Sequence, residues 1–151
     1  EVQDNSSDFV VENNNDEILI CHMGVKYFLI GGHIDNDESD EQCLTREVAE
    51  ESGVTLNFSN ILPIASSNYI NKDYPKNGDI TYTNTNYYAI KYDLVPNIEM
   101  QNLTEEEIKE NFKLMYIPKN EVINFLENTK KINATLSDTI MAIKVYLNLQ
   151  K

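Results

Sequence analysis

Residues 32–54 constrain this chain more than any other stretch. Gly32-His33-Ile34-Asp35-Asn36-Asp37-Glu38 is a polar segment that opens on a glycine and runs directly into a helix with clearly marked ends. Ser39 followed by Gln42 has the form of a capping box, Asp40 and Glu41 suit the positive end of the helix dipole, and Gly53 supplies a stop. The spacing predicts a helix over Asp40–Ser52, with Leu44 and Val48 giving it a narrow apolar stripe. Glu47, Glu50 and Glu51 then crowd into an arc of roughly 100°, at about 3.6 residues per turn. These like charges repel, and Glu50 and Glu51 sit where the dipole disfavours carboxylates. Where several local stability rules fail together, function is expected. Hard divalent cations such as Mg²⁺ take carboxylate oxygens and relieve such repulsion. Three glutamates on a helix, taken alone, also fit a solvated acidic face.

Spacing decides between those readings. The segment has the form G-x5-E-x7-R-E-U-x-E-E-x-G-U, where U is a bulky aliphatic residue. Average residue usage gives such a match by chance on the order of 10⁻⁹ per start position. The segment resembles the signature of the Nudix hydrolases, the MutT-like proteins, at every specified position, and the chain's only arginine, Arg46, falls on the arginine position. The approach Tyr27-Phe28-Leu29-Ile30-Gly31-Gly32 is similar to the family's strand leading into the loop, with Ile30 where many members have proline.

The resemblance implies an α/β/α sandwich with a mixed β-sheet and a loop–helix–loop catalytic element. It implies a hydrolase that cleaves a nucleoside diphosphate linked to a group X, by water attack at phosphorus, with Mg²⁺ or Mn²⁺. Carried over by position, Glu50 and Glu51 are metal ligands, Glu47 is a ligand or the general base, and the Gly31 carbonyl completes the metal shell. Arg46 orients Glu47, and Glu38 holds the loop or binds a further metal through water. Family members often recruit one more glutamate from a later loop; Glu105, Glu106, Glu107 and Glu110 all lie in that region, and the sequence does not choose among them. The alternative is a Nudix module that senses a nucleotide without cleaving it. Such modules usually lose box carboxylates, and this chain keeps them all.

The rest of the chain reads as one mixed α/β domain over residues 1–151, with residues 1–8 polar and frayed. Phe9-Val10-Val11 and Ile18-Leu19-Ile20-Cys21 are strand candidates flanking a polar turn. Residues 25–30 form a third, ending at Gly31-Gly32, where the backbone turns freely. Residues 61–70 and 81–94 carry strand-forming types, with a loop over 71–78 between them. Residues 102–111 are loop or short helix, and 113–117 a short strand. Val122, Ile123, Phe125 and Leu126 have helical spacing, and a last helix opens at Ser137 as its N-cap, with Ile140, Ile143 and Leu147 on one face.

Charge narrows the partners. Among 151 residues, 12 basic against 25 acidic side chains give a net charge of −13. Duplex nucleic acid needs a basic footprint and is disfavoured, and an acidic membrane surface repels the chain. No apolar run approaches 18 residues, so no membrane span is expected. Cys21 and Cys43 make no disulfide framework, no signal peptide is visible, and the expectation is a cytoplasmic protein acting on a small-molecule nucleotide. The resemblance admits a homodimer, although the sequence shows no interface. Cys21, Cys43 and His22 are expected to fill space. His33, beside the loop, is a candidate substrate contact. Tyr69, Tyr74, Tyr82, Tyr87 and Tyr88 are candidates for stacking on a base, though each equally fits strand packing, and Lys26, Lys72 and Lys76 fit a solvated surface. A short chain with little beyond the core elements points to nucleoside triphosphates or modified triphosphates.

Overall fold

Alternation along the central strands sets the architecture. The structure, a computed structural model, describes residues 2–129 and 134–151. Strand β1 (Val2–Glu12) turns Phe9 and Val11 to one side and Val10 to the other, and β2 (Glu17–Met23) does the same with Leu19 and Cys21 against Ile18 and Ile20. Period-two side chains that are apolar on both faces require cover on both faces. Helix α1 (Asp40–Ser52) covers one, its Leu44 and Val48 packed with Phe9, Leu19, Ile30 and Leu94. Helices α3 (Val122–Glu127) and α4 (Ala134–Leu149) cover the other, where Leu126, Ile140 and Ile143 meet Val10, Ile20 and Leu29. The result is the expected α/β/α arrangement around a mixed sheet.

The sheet runs β3 (Lys26–Phe28), β2, β1, β6 (Ile80–Lys91), β5 (Ala65–Lys72), with β4 (Ile30–His33) paired to β1 and β7 (Lys113–Pro118) to β2. The β1–β6 pair is parallel and the others are antiparallel. A short helix α2 (Glu105–Lys109) precedes β7.

Several expectations change. The residues expected to fray belong to β1, paired with β6 from Val2↔Thr81 to Glu12↔Lys91 and with β4 from Ser6 to Phe9. Ladder bonds use backbone groups, so polar side chains do not prevent them. Gly31 and Gly32 lie inside β4 instead of ending a strand. The strand expected over 61–70 starts only at Ala65, since Pro63 cannot donate to a ladder, and it continues to Lys72. Ser137 is not an N-cap: α4 already includes Ala134, and Leu136 in its first turn is buried in the core. The cap of α4 lies outside the described residues.

Candidate active site

Helix α1 forms where the local signals place it. Ser39 Oγ accepts from the Gln42 N–H at 3.1 Å, and Gln42 Oε1 accepts from the Ser39 N–H at 2.9 Å. Gly53 takes a left-handed φ of 75° and donates to the Ala49 carbonyl at 2.9 Å. No lysine or arginine occupies the last turn, and residues 97–102 meet its carbonyls instead. Asn97 N–H donates to Ser52 at 2.7 Å, Asn102 N–H to Glu50 at 2.8 Å, and Gln101 Nε2 to the Glu51 carbonyl at 2.7 Å. Those bonds bring the start of α2 to the acidic end of α1.

Packing of Leu44 and Val48 on the sheet aims Glu47 and Glu51 at the glycines of β4. Glu51 is buried, and its Oε1 accepts the Gly31 N–H at 3.0 Å. Gly31 has φ 145°, and a Cβ there would run into the Ser7 carbonyl and Asp8. At Gly32 a Cβ would come within 2.5 Å of Glu47 Oε1. Gly31 demands glycine for conformation as well as for close approach, and Gly32 for the close approach of Glu47 alone.

Arg46 knots the preceding loop to the helix. Its Nε and one terminal nitrogen donate to both oxygens of Glu38, at 2.7 and 3.0 Å, and that nitrogen also reaches the His33 carbonyl at 2.9 Å. The other terminal nitrogen donates to Glu47 Oε1 at 2.8 Å and lies 3.5 Å from Glu50. Such forked, charge-assisted pairs fix orientation as well as energy. Glu38 also accepts from the Asp35 N–H at 2.9 Å. Arg46 and that amide hold its carboxyl below the usual range.

Two carboxylates of the helix, Glu47 and Glu51, shift upward. Burial drives Glu47 up to about 7 against the pull of Arg46, with Glu50 and Glu107 adding repulsion. Burial also raises Glu51, opposed by the Gly31 N–H and reinforced by Glu47, Glu107 and Asp8. Glu107 is thus the glutamate, among the four left open, whose charge reaches both Glu47 and Glu51. It is half-buried, whereas Glu105, Glu106 and Glu110 are exposed. Its place is set by a second capping box: Glu107 N–H donates to Thr104 Oγ1 at 3.2 Å and Thr104 N–H to Glu107 Oε1 at 2.8 Å.

Beside the glycines, on the sheet face opposite α1, a cavity of about 350 Å³ opens. Asp8, Tyr69, Asn71, Tyr74, Tyr87 and Asp138 line it. Burial pushes Asp8 up to about 8, helped by Glu47 and Asp138. His33 stands at the rim with Nδ1 2.9 Å from Asp4 Oδ1. Tyr82 and Tyr88 do not line it; the Tyr88 hydroxyl donates to Asp40 at 2.6 Å, on the α1 side. Lys26, Lys72 and Lys76 are likewise absent from its walls. Cys43 is buried with Sγ 3.5 Å from the Gly32 and His33 carbonyls, filling space beneath the loop as expected. Asp8 and Asp138 escaped the sequence reading. Asp8 fell in a segment taken as frayed, and its inward position in the alternation Asp4, Ser6, Asp8, Val10 was the available signal.

Among the described residues, no three carboxylates are already gathered as a ready-made metal cluster. The donor chemistry nonetheless suits a hard divalent cation: oxygen ligands only, one of them deeply buried, with Arg46 as the one basic partner of the box carboxylates among the described residues.

The comparisons agree with this geometry. The NUDIX domain profile matches residues 4–138. No curated protein matches the chain. Among solved structures, the MutT protein from Methanosarcina mazei Go1 is similar over 100% of this chain and 98% of its own, at 18% identity and TM-score 0.66. The NUDIX domain of Shewanella oneidensis NrtR, solved with ADP ribose, is similar over 100% and 90%, at 18% identity and TM-score 0.67. A NUDIX hydrolase from Nitrosomonas europaea follows over 99% and 91%, at 16% identity and TM-score 0.59. At such identities the likeness is one of fold. With a profile that runs from β1 into α4, and with α1 carrying its box intact, this chain belongs to the Nudix family.

Proposed function

We propose that this protein is a Mg²⁺- or Mn²⁺-dependent hydrolase that cleaves the diphosphate bond of a nucleoside di- or triphosphate derivative, by water attack at phosphorus. The observation that carries this reading is the Arg46 knot, which holds Glu38 and Glu47 beside buried Glu51 at the Gly31–Gly32 edge. The neighbours named MutT, NUDIX hydrolase and ADP ribose complex point the same way, toward nucleotide-type small molecules.

Glu50, Glu51, the Gly31 carbonyl and Glu107 would hold the cation. When bound, it polarises a phosphoryl oxygen and neutralises charge that a chain of net charge −13 repels. Glu47 keeps Oε1 on Arg46, which leaves Oε2 to take the proton of the attacking water. Arg46 fixes that carboxylate and restrains the loop through Glu38. Glu38 is fully engaged by Arg46 and the Asp35 amide, which favours a loop-holding role over a further metal site. Net acidity argues for a small substrate over a long polyanion. No described helix is long and apolar enough to cross a membrane, and both cysteines are free; a cytoplasmic location fits reduced thiols.

The test is hydrolysis with Mg²⁺ or Mn²⁺ across nucleoside triphosphates, oxidised triphosphates, ADP-ribose, dinucleoside polyphosphates and nucleotide sugars. Turnover that disappears with chelator and falls at least about 100-fold in Glu47→Gln is expected, since one general acid–base group contributes roughly 10²–10⁴-fold. Tight nucleotide binding with no turnover on any substrate would replace this reading with the sensor.

A further inference from the structure

The cavity beside β4 differs in character from a phosphate pocket. Among the described residues no lysine or arginine lines it, while Asp4, Asp8 and Asp138 do. Its walls carry Tyr69, Tyr74 and Tyr87, none of which packs against another aromatic ring among the described residues. Tyr74 is largely exposed at the mouth. Neither Asp8 nor Asp138 makes a side-chain hydrogen bond to another described residue, and both line the cavity. At about 350 Å³ the space is near the small end of ligand pockets, which run roughly 300–1,000 Å³. It suits one nucleoside and not two.

Aromatic faces stack on planar rings of any kind. A carboxylate in the wall selects what the ring edge presents. It accepts hydrogen bonds from N–H groups and repels anions or bare carbonyl oxygens. Building on the hydrolase reading of the adjoining carboxylates, we infer that this cavity seats the nucleobase of the substrate and selects bases whose edge carries an amino group, with Asp138 on α4 as the accepting group. The phosphates then extend past Gly31 and Gly32 toward Glu47 and Glu51. Substrates whose seated end bears a further phosphate or an acid group are disfavoured by the same aspartate. Asp138 is a specificity residue in this account, since it touches the base and not the reacting atoms.

Two matched pairs isolate the amino group: GTP against ITP, and CTP against UTP. Affinity is measured by calorimetry with Mg²⁺ in the Glu47→Gln protein, and kcat/KM in the wild type. A hydrogen bond to a charged group predicts that the amino member of at least one pair is favoured about 10-fold or more. Asp138→Ala brings that ratio within about 2-fold, and Asp138→Asn, which keeps an acceptor oxygen, retains part of it. Circular dichroism confirms that both variants fold. Equal affinity within both pairs overturns the inference, as does a preference that survives Asp138→Ala. If the wild type hydrolyses both members of each pair equally well, the selection fails while the hydrolase reading stands. If the amino member binds preferentially and nothing is turned over, the selection stands and the hydrolase reading fails.

Discussion

At the scale of single residues, the site is built from omissions as much as from charges. Gly32 matters for the side chain it lacks, because the Glu47 carboxylate occupies the place a Cβ would claim. Glu47 cannot swing away without leaving Arg46, which ties it at 2.8 Å. Gly32→Ala should therefore cost little stability and much activity. The expected result is a fall in kcat of about 10-fold or more, as positional errors near 1 Å can cost on the order of 100-fold. The thermal midpoint should move by only a few degrees, roughly what 1 kcal/mol produces in a domain of this size. A variant with normal kcat would show that Glu47 works from another position. The same paired measurement separates this effect from misfolding.

At the scale of elements, the decisive contact is the seam between the end of α1 and residues 97–102. A helix end with three orphan carbonyls and no cation must find donors elsewhere, and Asn97, Gln101 and Asn102 provide them. Gly53 sits at that seam twice over: its φ of 75° is left-handed, and a Cβ there would strike the Asn97 carbonyl. Gly53→Ala is expected to destabilise the protein by about 2 kcal/mol or more, since a left-handed non-glycine residue alone costs roughly 1–2 kcal/mol. Urea unfolding reads the loss. Turnover should fall as well, because the seam also positions Glu107; a destabilised protein with full kcat would show that Glu107 is placed independently. This seam also explains what could be read beforehand. Helix α1 was legible because both of its ends are encoded within a few residues, by Ser39, Gln42 and Gly53. The identity of the reaching glutamate was not, because Glu107 is selected by contacts between segments some fifty residues apart. The strand role of residues 2–8 was hidden for a similar reason: their partners are in β4 and β6, and no local apolar pattern announces them.

At the scale of the whole molecule, two sets of carboxylates pull stability in opposite directions with pH. Glu12 is fully buried where β1, β6, β7 and α4 converge. It accepts from Tyr146 and Gln150 at 2.6 Å each, with Lys119 at 3.3 Å and Lys91 at 3.8 Å. Burial raises its pKa, but Tyr146, Gln150 and Lys119 outweigh it and bring the carboxyl from 4.5 down to about 2. A depressed carboxylate contributes its stability above the unfolded value and loses it as pH falls from about 4.5 toward 2. Denaturant titrations across that range should show an acid limb worth about 3 kcal/mol, and Glu12→Gln should flatten it. An unchanged limb would assign acid unfolding to other groups. Glu47 and Asp8 carry the opposite sign: their carboxyls favour the neutral form, and their contribution is lost as pH rises toward about 7 and 8. The active-site end of the sheet is thus held under electrostatic stress that the Glu12 end offsets.

The parallel pairing of β1 with β6 has a consequence for how the molecule is made. The strand of this sheet that is synthesised before the others lies in its middle, and its register with β6 ties residue 2 to residue 81 and residue 12 to residue 91. Closing so long a loop costs entropy before any contact repays it, and pairings distant in sequence slow folding. During synthesis, β1 waits with one edge unpaired until β6 has emerged. The strand carrying Phe9, Val10 and Val11 therefore spends that interval exposed, and its polar leading half, Gln3 to Asp8, shields it from pairing with the wrong neighbour.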